Sequence, residues 1–72
     1  MDRLNEIAHL SVLRDVLNDL DPAGDWQHEP LYQKWRKNRY SLTQGEFHHL
    51  SHCLDTYRKR AEFERIKQER IA

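Results

Sequence analysis

The chain is poor in the residues that mark disulfide-built, metal-built or membrane proteins. Its 72 residues include one cysteine, two glycines and two prolines. A single cysteine excludes an internal disulfide framework. No apolar run approaches the ~18 residues of a membrane span or the apolar stretch of a signal peptide, which predicts a soluble, cytoplasmic protein with no membrane partner. A glycine-rich phosphate loop, an H-E-x-x-H and a paired C-x-x-C are all missing. With 38% hydrophobic and 33% charged residues, there is material for one small core and little for a deep substrate cleft. The expectation is a non-enzymatic binding protein with no catalytic residues, no bound metal and no cofactor.

What the chain has is charge, unevenly placed. The formal net charge is +0. Residues 1 to 29 nevertheless carry Asp2, Glu6, Asp15, Asp19, Asp21, Asp25 and Glu29 against Arg3 and Arg14, about −5, and residues 30 to 72 carry the opposite, about +5. Such segregation is satisfied either internally, by the acidic first element packing beside the basic later ones, or externally, by patches that meet different partners.

Periodicity predicts an all-α fold, a small single domain of two or three packed helices with a long C-terminal helix. Residues 1 to 20 form an acidic helix with Asp2 as N-cap, because Leu10, Leu13, Leu17 and Leu20 share one face that Val16 widens. Leu4 and Ile7 lie off that stripe, so this helix is either covered on two sides or bent near Ser11. Residues 21 to 30 read as a linker, where Pro22 removes a donor and Gly24 permits positive φ. Pro30 suits the first position of a helix from Leu31 to about Asn38 within the basic aromatic segment 31 to 40, preferred over a short strand through Leu31, Gln33 and Trp35. Thr43 and Glu46 form a T-x-x-E capping box, with Leu42 and Phe47 at hydrophobic-staple spacing, which starts the last helix at Gln44. Phe47, Leu50, Leu54, Tyr57 and Ala61 then make a 3-4-3-4 seam that closes either an internal core or a homodimer; a monomer is the preferred reading. Beyond it Phe63, Ile66 and Ile71 continue a weaker stripe to about residue 70, on a stretch expected to overhang the core.

Two clusters could carry chemistry. His48, His52 and Asp55 share a polar helical face with metal-ligand side chains, but four-ligand or two-element completion is missing, and a solvated histidine face is the preferred reading. Cys53 with His49 one turn earlier lacks the orienting group and oxyanion donors of an acyl-transfer site. The stronger signal is for binding. Between Tyr32 and Tyr40, Lys34, Arg36, Lys37 and Arg39 alternate with aromatics, a pattern suited to phosphate contact and base stacking. The alternative places the aromatics in the core, and for Trp35 and Tyr40 the core is the preferred reading. Trp26 in the linker is either a lid on the core or an exposed anchor for a partner. Arg58, Lys59 and Arg60 add charge spread around a helix. The expected partner-binding residues are therefore Trp26, Lys34, Trp35, Arg36, Lys37, Arg39, Arg58, Lys59 and Arg60.

Residues 37 to 55 resemble the Hha/YmoA family of small nucleoid-associated regulators, through Lys37-Asn38-Arg39-Tyr40-Ser41-Leu42-Thr43 followed without a gap by Glu46 and Asp55. The resemblance implies a turn leading into a long helix, and a charged surface, with Asp55 as its acid, that docks on an H-NS-type protein. It stops there: Tyr57 stands where the family has an arginine, and Arg58 follows one position late. Size, segregated charge, the lone cysteine and the lack of enzyme motifs are together similar to small bacteriophage proteins that redirect host transcription. That likeness carries no residue roles. It implies bacterial RNA polymerase as partner, in the host cytoplasm, with interference with sigma, inhibition of initiation and antitermination as the regulatory outcome. Nascent RNA or DNA would then lie near the basic segment. Direct, sequence-independent nucleic-acid binding is the remaining alternative.

Overall fold

In the computed structural model, which describes residues 3–71, the chain forms α1 (Arg3–Leu20), a one-turn 3-10 helix (Asp25–His28), α2 (Pro30–Lys37) and α3 (Gln44–Ile71). The fold is all-α with a long C-terminal helix, as the periodicity predicts. The expected N-cap Asp2 and the side chain of Ile71 lie outside the described residues.

The helices are arranged in a way that periodicity does not reveal. The Arg3 guanidinium donates to the Leu42 carbonyl at 2.7 Å, the His9 and Ser51 side chains hydrogen-bond at 2.9 Å, and Leu20 shares a surface groove with Ala61. Residue numbers rise together along both elements, so α1 and α3 run parallel. Residues 21 to 43 must then carry the chain back along α1, about 27 Å at 1.5 Å per residue for its 18 residues. The 3-10 turn and α2 make that return journey, and α2 consequently runs opposite to α3.

One core forms where they meet. Leu10, Leu13 and Leu17 of α1, Trp26, Tyr32, Trp35, Leu42, and Leu50 and Leu54 of α3 are buried, with Ile7, Leu31, Phe47 and Tyr57 packed against them. The 47-50-54-57 seam thus closes internally. Each fully buried leucine contributes about 1.5 to 3 kcal/mol through removal of apolar surface from water. α1 is unbroken at Ser11, and it is not covered on a second side: Ile7 joins the core while Leu4 is 64% exposed.

The segment read as a linker is the largest departure. Trp26 is 2% exposed; its indole N–H donates to the Asp21 carbonyl at 2.8 Å, and its ring meets Tyr32 edge-on at 5.2 Å. Tyr32 continues to Trp35 at 6.0 Å, so three aromatics fill the space between the return path and the two long helices. Gly24 corrects the glycine argument as well. Its φ is −74°, and what it supplies is space, since a Cβ there would run into the Asp21 carboxylate and approach Trp26 Cδ1 to 2.7 Å.

Local rules hold at the helix ends. Pro30 occupies the start of α2, where its missing N–H costs nothing, and 31 to 36 is helix, not strand. α3 opens on a complete capping box: the Glu46 N–H donates to Thr43 Oγ1 at 3.2 Å and the Thr43 N–H to Glu46 Oε1 at 3.0 Å.

Candidate functional site

The return path decides where the basic residues go. α2 ends beside the start of α3, with Lys34 Nζ 3.0 Å from the Glu46 carboxylate. That carboxyl is held below the usual glutamate range, first by the Thr43 backbone N–H and then by Lys34. Lys34 is therefore occupied. Arg36 and Lys37, on the last turn of α2, are exposed and make no ion pair among the described residues. Arg39 lies over the Trp35 ring at 5.0 Å, with Arg14 of α1 5.8 Å from the same ring, so Arg39 keeps its charge at the surface while covering the core. Tyr40 follows in a turn closed by its own N–H donating to Asn38 Oδ1 at 3.0 Å.

Arg58, Lys59 and Arg60 sit elsewhere. From Glu46 to Lys59 along α3 is about 20 Å at 1.5 Å per residue, so the two basic groups do not form one patch. Arg58 bridges Asp55 at 2.7 Å and Glu62 at 3.0 Å, and Lys59 pairs with Asp55 at 3.2 Å. Asp55 is accordingly lowered, by Arg58 first and Lys59 second, and Arg58 is raised by the same two carboxylates. Arg60 is exposed with no ion pair among the described residues.

Several expected contacts are corrected by burial. Trp26 and Trp35 are 2% and 1% exposed, so neither can anchor a partner on the folded surface. Tyr32 is buried and cannot stack on a base, whereas Tyr40, expected in the core, is 60% exposed. Tyr40 lies beyond the end of α2, and its outward turn is signalled by Asn38 two residues before it. The residual basic end of the molecule thus comprises Arg36, Lys37, Arg39 and Tyr40.

Charge segregation is not cancelled by direct pairing. Among the described residues every ion pair joins partners within 3 to 29 or within 30 to 69, none across that division. Parallel packing does bring the acidic end of α1 beside the basic stretch of α3, where Asp19 and Asp21 share an open groove with Arg65. At the other end, Glu6 of α1 lines a small groove with Trp35 and Arg39 but makes no ion pair with Arg36 or Lys37 among the described residues.

On the outer flank of α3, His52, Cys53, Thr56, Tyr57 and Arg60 line an open groove of about 220 Å³. Cys53 Sγ is 3.7 Å from His49 Nε2, the expected pair, but burial and the nearby Glu29 carboxylate push the thiol upward. A raised thiol is protonated at neutral pH and is a poor nucleophile. The Tyr57 hydroxyl donates to Glu29 at 2.9 Å, a link between the return path and α3 that no spacing announces; it raises the phenol above its usual range. His48, His52 and Asp55 do not assemble a site: the described residues hold no group of three His, Cys, Asp or Glu placed for a metal, and Asp55 is taken by Arg58 and Lys59. No helix among the described residues is long and apolar enough to cross a membrane. Comparison with known proteins finds no matching family model, no matching curated protein and no matching solved structure.

Proposed function

We propose that this chain is a non-enzymatic docking protein that regulates bacterial transcription by binding RNA polymerase, with the basic end of α2 as its electrostatic contact. The observation that carries the reading is the exposure of Arg36 and Lys37, without carboxylate partners among the described residues, at the end of α2. Charges placed this way steer association with an acidic surface and fix its orientation. Tyr40 beside them adds an amphipathic side chain of the kind that anchors interfaces. Bound to polymerase, such a module would interfere with sigma at initiation, and the same basic side chains would lie near nucleic acid. Burial of Tyr32 and Trp35 removes most of the stacking platform that direct single-strand binding uses, which favours the protein partner.

The test is capture of polymerase from nuclease-treated bacterial lysate on the tagged chain, compared with Arg36→Glu combined with Lys37→Glu. Stoichiometric polymerase subunits are expected with the natural sequence and strongly reduced recovery with the variant, at unchanged helicity. Absence of polymerase overturns the reading. An H-NS-type protein in its place would support the nucleoid adaptor, and steeply salt-dependent binding to bare DNA or RNA would support direct nucleic-acid contact.

A further inference from the structure

Past Ala61, α3 outruns the end of α1, and its apolar side chains there have no cover from the rest of the fold. Phe63 is 70% exposed and Ile66 52%. At 100° per residue they sit about 170° around the helix from the Leu50, Leu54, Ala61 seam that faces the core. The outer ridge they form has two edges of opposite sign. Asp55, Glu62 and Glu69 run along one, seven residues apart; Arg60 and Lys67 run along the other at the same spacing.

From this arrangement we infer that the outer ridge of α3 is a self-association surface, on which a second copy of the chain docks its own α3 in parallel and in register. Orientation follows from charge. With Phe63 and Ile66 as the apolar a and d positions of a heptad, a parallel copy sets Glu62 of one chain against Lys67 of the other and Asp55 against Arg60, twice each by symmetry. An antiparallel copy would set Glu62 against Glu69 and Arg60 against Lys67, like charges throughout. Arg60 and Lys67 make no ion pair within the described part of their own chain, so the basic edge is available. The acidic edge is engaged by Arg58 and Lys59, and at Glu69 by Arg65, but through half-buried or exposed helical pairs that contribute little and leave carboxylate oxygens able to accept a further donor. Two apolar side chains per copy, with Lys59 in the same ridge, make the association weak. It belongs to high local concentration, such as two copies held on one large partner. The surface is separate from the basic end of α2, and the inference stands or falls independently of the proposed partner.

Sedimentation equilibrium of the full chain, from micromolar to about 1 mM, reads it directly. The average mass should rise from one chain toward two, and Phe63→Ser with Ile66→Ser should stay at one. Glu62→Lys should weaken association by roughly fivefold or more, since two symmetric attractions become repulsions. Adding Lys67→Glu to Glu62→Lys exchanges the edges and should restore it; an antiparallel copy would instead be strengthened by Glu62→Lys alone, which sets a lysine against Glu69. Helicity measured alongside separates lost association from lost folding. A chain of single mass at about 1 mM, a serine variant that still associates, or an exchange without rescue overturns the inference.

Discussion

α3 is continuous from Gln44 to Ile71, yet its two parts are held by different forces. Up to Ala61 the helix is one wall of the core, with Leu50 and Leu54 at 1% and 0% exposure. Beyond Ala61 it borders the end of α1 across an open groove, carries pairs within the helix such as Arg65 with Glu69 at 3.7 Å, and turns both Phe63 and Ile66 to solvent. Helical stability in short elements comes mostly from packing an amphipathic face, so identical secondary structure conceals a large difference in local stability. The first part positions the rest of the fold; the second is free to meet something else.

The comparison breaks most visibly in the packed part. Leu54→Ala removes a fully buried side chain from the junction of α1 and α3, and should cost about 2 to 5 kcal/mol, a large fraction of the stability of so small a chain. Chemical denaturation checks it; a loss under about 1 kcal/mol would mean that the α1 and α3 contact is not the mainstay of the fold. The capping box comes next. Thr43→Ala should cost roughly 1 kcal/mol and fray the first turn of α3. Its partner Glu46 gives this end a pH signature. The folded carboxyl lies below its unfolded value, so its contribution is present above the ordinary glutamate range and is lost as the pH falls through the lowered value. Circular dichroism between pH 6 and 2 should show that loss in the natural sequence, and Glu46→Gln should flatten it. The smallest effect belongs to the overhang, where Ile66→Ser in dilute solution should change stability by no more than about 0.5 kcal/mol. A larger change would place Ile66 against the fold and contradict its exposure.

Much of this division is legible in the chain. The T-x-x-E box starts α3 at the right residue because capping is local chemistry, and the 47-50-54-57 seam marks the buried face because burial must follow the helical period. Trp26 escapes such reading: it lies in an aperiodic stretch, and only the returning path, bent by Pro22 and tightened at Gly24, brings it onto Tyr32. The same limit applies to Trp35 and Tyr40, five residues apart and alike in character. One falls on the inner face of α2 and the other just beyond its end, so one is core and the other surface. Periodicity also names the face that α1 buries without naming its direction, and direction is what separates the two basic groups. The candidate site was therefore visible as a set of residue types, while the choice between core and surface for Trp26 and Trp35 needed the folded path, which buries both.

The parallel placement of α1 and α3 also governs when the fold can form. His9 finds Ser51 across 42 positions of sequence, and Arg3 finds Leu42 across 39. A helical hairpin would let the first two helices dock as soon as both exist. Here the leucine stripe of α1 has only the smaller α2 to lean on until most of α3 has been synthesised, and closing so long a loop slows the docking step relative to bundles of neighbouring helices. For much of its synthesis, the growing chain must expose the apolar face it will later bury. Chains cut short within α3 are the natural targets of quality-control proteolysis.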